Sequence, residues 1–160
     1  MDEVDLKLLA LLRTSGRASY AELGRSIGLS APAAHERVNK LEARGIITGY
    51  GANIDPRALG LGFTALVGVQ VVDHAVDDAL LETLRSMPQI EDCMFVAGDE
   101  AYSLKVRVPH MEQLEDILMQ IIRIKGVTRT RTTIVLSTKW EGRVDGLIPH
   151  VSHSSAQDEL

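Results

Sequence analysis

The sequence SYAELGRSIGLSAPAAHERVNKLEARG, residues 19–45, contains the start and stop signals of two short helices separated by a turn. Ser19 followed by Glu22 is the pattern of a capping box, and Gly28 is placed to end the helix that they begin. Ser30 is a favourable cap for the next helix. We therefore predict two helices joined by a three-residue turn, the pattern of a helix-turn-helix.

The second helix of the pair has an apolar stripe and a polar face. Pro32 fits its first turn, where a missing N–H is harmless. Ala34, Val38 and Leu41 follow helical spacing and are predicted to be buried. The helix is expected to run to about Ala43, so the helix-turn-helix covers residues 20–44.

A third amphipathic segment, Val4–Arg13, precedes the pair, with Leu8, Leu9 and Leu12 at helical spacing. Three helices of this size also occur as a plain bundle without nucleic acid, which is the structural alternative. The charges on the polar face favour DNA binding. Residues 1–50 are therefore predicted to form a DNA-binding domain. Ile46–Gly51 is predicted to form a short strand or wing next to the helices.

The polar face of the helix after Ser30 is the predicted DNA-contacting surface, entering the major groove by its N-terminal end. His35, Glu36 and Asn39 can exchange hydrogen bonds with base edges, and Ala33 suits a thymine methyl. Basic side chains meet phosphates and fix position rather than sequence. The predicted DNA-binding residues are Arg17, Arg25, Ser30, Ala31, Ala33, His35, Glu36, Arg37, Asn39, Lys40 and Arg44.

Some of these residues also have a structural interpretation. For Arg37, an internal ion pair that holds the helices together is as well supported as a DNA contact, and for Glu42 the structural role is preferred. Lys40 would otherwise be a solvated helix lysine. Arg44 would otherwise interact with the C-terminal end of the helix dipole.

The net charge of −5 over 160 residues is unusual for a DNA-binding protein, but the charge is unevenly distributed. Residues 1–50 hold seven Lys and Arg against six Asp and Glu, whereas residues 51–160 hold ten against sixteen. The acidic excess therefore belongs to the second part. Only a local patch of the first part is expected to contact phosphate, so one copy alone should bind weakly.

The composition excludes several classes of protein. The longest apolar run, Phe63–Val72, is interrupted by Gln70 and is too short to span a bilayer, and the acidic N-terminus is unlike a signal peptide. We predict a cytoplasmic protein without membrane contact. Cys93 is predicted to be a small buried hydrophobe. No metal site is predicted, because no histidine pairs with Cys or Glu at metal-ligand spacing.

Strand and helix patterns alternate after a predicted linker at residues 51–61. The predicted elements are strand Phe63–Val72, helix Val76–Met87, strand Ile90–Ala97, a hairpin turn at Gly98–Glu100, strand Tyr102–Val108, helix Met111–Ile124 and strand Val127–Ser137. This β-α-β-β-α-β order is ferredoxin-like and makes the chain an α+β protein, with a second domain at 62–138. Two helices cover one sheet face, and a second copy is the simplest partner for the other. The tail 139–160 lacks periodicity and is expected to be mobile or to lie over a neighbour.

Several short motifs occur together in a characteristic order. The first domain carries DLKLLALL (5–12), GRASYAEL (16–23), GLS (28–30) and ERVNKLEARGII (36–47), and the second carries VAGDEAYSLKVRVP (96–109) and GVTRTRT (126–132). In order and spacing the chain resembles the Lrp/AsnC family of bacterial and archaeal transcription regulators. The resemblance implies a RAM/ACT-like second domain, DNA binding as homodimers that assemble further, often to octamers, and an amino-acid effector.

The resemblance also places the amino-acid site at the loop containing Gly98 and Asp99, between subunits. Exposed N–H groups of this turn would hold an α-carboxylate, and the carboxylate of Asp99 or Glu100 would hold an α-ammonium. A Gly-Asp pair is otherwise a standard hairpin turn, and strand alternation alone explains the other candidates. The predicted effector-binding residues are Gly98, Asp99, Glu100, Tyr102, Thr130 and Thr132, and no further cofactor is expected.

Three functions remain open at this point. The first is an effector-responsive transcription regulator, and the second is an architectural DNA-wrapping protein without an effector. The third is an enzyme, because siroheme decarboxylases use a similar two-part fold. The predicted strands carry no histidine and no nucleophile–base pair is visible, so the chain is not expected to be an enzyme.

Overall fold

The computed structural model describes residues 1–72 and 78–142. Contacts divide the chain into two compact units, one containing Met1–Asn53 (the helical unit) and one containing Ile54–Lys139 (the sheet unit). The predicted linker is thus split between the two units, and it contains a short 3-10 helix at Pro56–Leu59.

The helical unit contains α1 (Glu3–Thr14), α2 (Tyr20–Ile27) and α3 (Ala31–Ala43). Each helix begins where the sequence supplies a capping side chain, because the first backbone N–H groups of a helix have no partner within it. Asp2 and Asp5 form a capping box at α1, as Ser19 and Glu22 do at α2. The buried cluster of the unit comprises Leu8, Leu23, Ala34 and Val38.

The prediction of a short strand, or wing, after α3 was wrong. Among the described residues, Ile46–Gly51 contains no strand. The N–H groups of Ile46 and Ile47 both donate to the carbonyl oxygen of Leu41, at 2.9 and 3.3 Å, and so complete the end of α3. A strand would require a neighbouring strand for these groups, and this segment pairs with none.

The sheet unit contains β1 (Phe63–Val71), α4 (Asp78–Arg85), β2 (Ile90–Phe95), β3 (Tyr102–Val108), α5 (Met111–Ile122) and β4 (Val127–Val135). The sheet is antiparallel, in the order β2-β3-β1-β4. The predicted α+β, ferredoxin-like class is confirmed. The predicted start of α4 at Val76 lies outside the described residues, and so does most of the 139–160 tail.

One face of the sheet is covered by the two helices. Leu80 and Leu84 of α4 and Leu114, Ile117 and Ile121 of α5 join the buried cluster formed by alternate strand residues. The alternate residues of β3 all belong to this cluster: Tyr102, Leu104, Val106 and Val108. The other face of the sheet, where Leu66 is 43% exposed, is called the open face below.

Candidate functional site

The turn between α2 and α3 is built from local contacts. Gly28 adopts φ +74° at the end of α2, a backbone conformation that glycine enters without strain. The Ser30 hydroxyl then accepts a hydrogen bond from the N–H of Ala33 at 3.4 Å. These two features set the angle at which α3 leaves the turn.

Gly24 is a structural requirement that the sequence analysis missed. A Cβ atom at this position would lie 2.6 Å from the carbonyl oxygen of Leu29 and 3.1 Å from that of Ser30. Both are backbone atoms of the turn, so α2 and the turn approach each other as closely as they do only because residue 24 has no side chain. An isolated glycine inside a helical pattern is the signal that points to such a contact.

The polar face of α3 is presented to solvent. His35, Glu36, Asn39, Lys40 and Arg44 are exposed, whereas Ala34, Val38 and Leu41 are buried as predicted. Of the other predicted contact residues, Arg17, Arg25 and Ser30 are exposed, and Ala31 and Ala33 are half-buried. The exposed face of α3 therefore carries both uncharged hydrogen-bonding groups and charged groups.

Two cations of α3 are already paired within the unit. Arg37 donates to Asp2 at 2.7 Å and to Asp5 at 2.8 Å. The hydrogen bond to Asp2 is the main cause of the raised pKa of the guanidinium, and the hydrogen bond to Asp5 is the second. The Lys40 ammonium lies 2.6 Å from the Glu36 carboxylate, one helical turn away. Arg37 thus fixes α3 against the start of α1, which is the structural alternative considered for it.

Glu42 is held by a hydroxyl group rather than by a cation. The Tyr50 hydroxyl donates to the Glu42 carboxylate at 2.8 Å. Partial burial and, as the second cause, this hydrogen bond raise the pKa of Tyr50 to about 12. The expected role of Glu42 in holding the unit together therefore runs through Tyr50, just beyond the end of α3.

A second candidate site lies in the sheet unit, below the loop that joins β2 and β3. This loop spans six residues, Val96–Ala101, because β2 ends at Phe95 and not at Ala97. A cavity of about 140 Å³ opens beside it. The residues that line the cavity are Gln70, Asp99, Glu100, Arg129, Thr130 and Arg131.

An ion pair crosses the open face at this cavity. Arg131 of β4 lies 2.7 Å from the Glu100 carboxylate, which is only 14% exposed. Glu100 lies over Gly68 of β1, where an added Cβ atom would be 2.6 Å from its Cγ atom. Gly68 therefore provides the space that brings the loop carboxylate down onto the sheet.

The structure brings together only some of the predicted effector-binding residues. Asp99, Glu100 and Thr130 line the cavity, and Gly98 lies in the same loop with open space around it. Tyr102 is 3% exposed, belongs to the core and packs edge-on against Phe95. Thr132 pairs with the fully buried Val67 and so shares its face, away from the open face.

Gln70, Arg129 and Arg131 are the cavity residues that sequence reasoning missed. Gln70 was visible only as the polar interruption of an apolar run. It lies opposite Arg129 in the β1–β4 ladder, which is irregular between Gln70 and Val71. This pairing joins residues that are distant in the sequence, so no local pattern indicates it.

Cys93 is exposed, contrary to the prediction that it is buried. It lies on β2, which is an edge strand of the sheet in the part of the chain that the structure describes. Partial burial raises the pKa of its thiol. No helix within residues 1–72 and 78–142 combines the length and apolar character that crossing a membrane requires.

Comparison with known proteins identifies both units. The AsnC-type helix-turn-helix domain matches residues 1–42, and the Lrp/AsnC ligand binding domain matches residues 64–145. The HTH-type transcriptional regulator LrpA of Mycobacterium tuberculosis is 40% identical over 143 residues, covering 89% of this chain and 95% of the relative. The leucine-responsive regulatory protein of Escherichia coli K12 is 34% identical and covers 85% of each chain.

Solved structures give the same result. The feast or famine regulatory protein of M. tuberculosis complexed with L-methionine has a TM-score of 0.85 and 39% identity, covering 92% of this chain and 99% of that one. A transcriptional regulator from Neisseria meningitidis in complex with L-Met has a TM-score of 0.79 and 25% identity, covering 88% and 93%.

Proposed function

We propose that this chain, which belongs to the Lrp/AsnC family of transcriptional regulators, binds duplex DNA through α3 and changes that binding when an amino acid occupies the cavity beside the β2–β3 loop. The observation that carries the first half is the exposed polar face of α3, held in place by the caps, Gly24 and the Arg37 contacts. Sequence-specific readout in the major groove requires a rigid helix of this kind.

The side chains of α3 divide into two groups in this proposal. His35, Glu36 and Asn39 exchange hydrogen bonds with base edges. Lys40 and Arg44, with Arg17 and Arg25, contact phosphates and position the helix. Arg37 orients α3 through α1, and the half-buried Ala31 and Ala33 let the helix end approach the groove closely.

The DNA half is tested by fluorescence anisotropy with duplexes from the region upstream of the gene, at several salt concentrations. Lys40→Ala should weaken binding to every duplex and lower the salt slope by about 1, because one fewer phosphate is neutralised. Lys125→Ala, which removes an exposed lysine of the sheet unit, is the matched control. An unchanged salt slope removes Lys40 from the interface, and absence of specific binding in footprints overturns the proposal.

The effector half is supported by the charges of the cavity and by the methionine complexes of two structural neighbours. Arg131 neutralises Glu100, which leaves Asp99 to hold an α-ammonium and Arg129 to hold an α-carboxylate. In calorimetry with a panel of amino acids, Asp99→Ala should lose binding, whereas Asp116→Ala, at an exposed position of α5, should keep it. Full affinity in Asp99→Ala would contradict this assignment.

Self-assembly completes the proposal. The open face leaves Leu66 43% and Met94 48% exposed, and a second sheet would cover both. Joining several weakly binding helical units into one particle, a dimer and then an octamer, adds their DNA contacts. Sedimentation of wild type and Leu66→Lys, with and without amino acids, tests this: the variant should sediment as a smaller species.

A further inference from the structure

Every residue that lines the cavity beside the β2–β3 loop is of a polar or charged type. The six lining residues carry carboxylate, guanidinium, amide or hydroxyl groups. Ligand pockets for aliphatic side chains are instead lined mainly by apolar groups. These residue types therefore favour a ligand whose side chain can form hydrogen bonds over one whose side chain is purely aliphatic.

The four charged residues of the cavity are accounted for by one ion pair and by the two charges of the ligand, so only the uncharged lining residues are left to contact the ligand side chain. Glu100 and Arg131 are paired at 2.7 Å, and Asp99 and Arg129 match the two charges that every free amino acid carries. The uncharged residues of the lining are Gln70 and Thr130. Thr130 pairs with the fully buried Val69 and so shares its face, away from the open face, which leaves the Gln70 side chain to discriminate between amino acids.

Gln70 is positioned for this role by an irregularity of the sheet. The β1–β4 register shifts between Gln70 and Val71, immediately beside the cavity. Such bulges redirect side chains and are common next to functional sites. The carboxamide of Gln70 offers both a donor and an acceptor, so it is complementary to a second carboxamide.

We infer, on the basis of the proposed amino-acid site, that the cavity selects an amino acid with a carboxamide side chain, asparagine or glutamine, and that Gln70 determines this selection. An aliphatic side chain in the same place would leave the Gln70 carboxamide without a partner. A site built to hydrogen-bond a polar group discriminates strongly against analogues that lack the group.

The test is calorimetry of the full chain with asparagine, glutamine, leucine and methionine. Wild type should bind the better of the two carboxamide amino acids at least about tenfold more tightly than leucine or methionine, which corresponds to the loss of one buried hydrogen bond. Gln70→Met has similar length without hydrogen-bonding capacity and should reduce this ratio to about twofold or less. Gln120→Met, on the exposed surface of α5, should keep the wild-type ratio.

Equal or tighter binding of leucine or methionine by wild type would overturn this inference while leaving the amino-acid site itself in place. The wild-type ratio decides this point even if Gln70→Met does not fold. An unchanged ratio in folded Gln70→Met would remove Gln70 as the determinant. Binding of none of the four, with none of the other amino acids bound either, would overturn the effector half of the proposed function together with this inference.

Discussion

The helical unit and the sheet unit are stabilised by different kinds of contact. The helical unit has a cluster of four fully buried side chains, supplemented by capping boxes, a tight turn and the pairing of Arg37 with α1. The sheet unit has long strand ladders and, among its described residues, a cluster of fourteen buried side chains. A small core tolerates little loss, so single changes should separate the two units experimentally.

The largest effect is expected from removing one leucine in each core. Leu8 and Leu104 are both completely buried, and Leu→Ala at either position costs about 3 kcal/mol. Leu8→Ala should unfold the helical unit, because so few other buried side chains support it, while Leu104→Ala should leave the sheet unit folded with a lower thermal midpoint. Hydrogen exchange of peptides from residues 1–50 and 63–135 measures the two separately. Equal protection of residues 1–50 in wild type and Leu8→Ala would refute the contrast.

Replacing the two close-packed glycines, Gly24 and Gly68, by alanine should lower stability moderately in the helical unit and only slightly in the sheet unit. In Gly24→Ala the added Cβ contacts backbone atoms of the turn, so the free energy of unfolding should fall by about 2 kcal/mol. In Gly68→Ala the added Cβ contacts the flexible side chain of Glu100. Gly68→Ala should therefore lower stability little but displace Glu100 and weaken amino-acid binding. Urea unfolding and calorimetry check both variants, with Gly51→Ala, where a Cβ meets open space, as the control. A Gly24→Ala protein as stable as Gly51→Ala would show that the turn can relax.

The smallest effect is expected on acidification. The pKa of Asp2 is lowered by the hydrogen bond from the Asp5 backbone and then by Arg37, and the pKa of Glu22 is lowered from 4.5 by the Ser19 backbone. Because these folded-state pKa values lie below the unfolded ones, the stabilisation is complete above about pH 4.5 and is lost as the pH falls through the folded values.

Thermal melts between pH 6 and pH 3 should therefore show a falling midpoint for the helical unit below about pH 4.5. Glu22→Gln should make this fall shallower, since it removes one of the carboxylates that must be protonated. Glu115→Gln, an exposed change on α5, serves as the comparison. Identical pH profiles for the two variants would mean that the cap of α2 contributes nothing to acid sensitivity.

The same contrast explains what the sequence could and could not predict. The beginnings of α1, α2 and α3 depend on Asp2, Ser19 and Ser30, each within a few residues of the groups it caps. Local patterns therefore located these helices to within one or two residues. The wing at Ile46–Gly51 failed because a β-rich composition does not supply a partner strand.

The cavity was only partly predictable for a related reason. Asp99 and Glu100 are contiguous in one loop, so a short motif was enough to propose them. Gln70 and Arg129 meet only through the register of β1 with β4, which no local sequence pattern encodes. Tyr102 matched the motif equally well, but strand alternation directs it to the core.

The pairing of β1 with β4 also has a consequence for the order of folding. β1 is the first strand of the sheet unit and β4 is the last, and their ladder closes the longest loop among the strand pairs. Such distant pairings form slowly because the chain loses much entropy before it gains contacts. Arg129 and Arg131 join Gln70 only when this step is complete. A ribosome-bound chain that has not yet released β4 therefore lacks the cavity, although the residues of α1, α2 and α3 have already been synthesised. Under the proposed function, the response to a ligand would be the last property that the chain acquires.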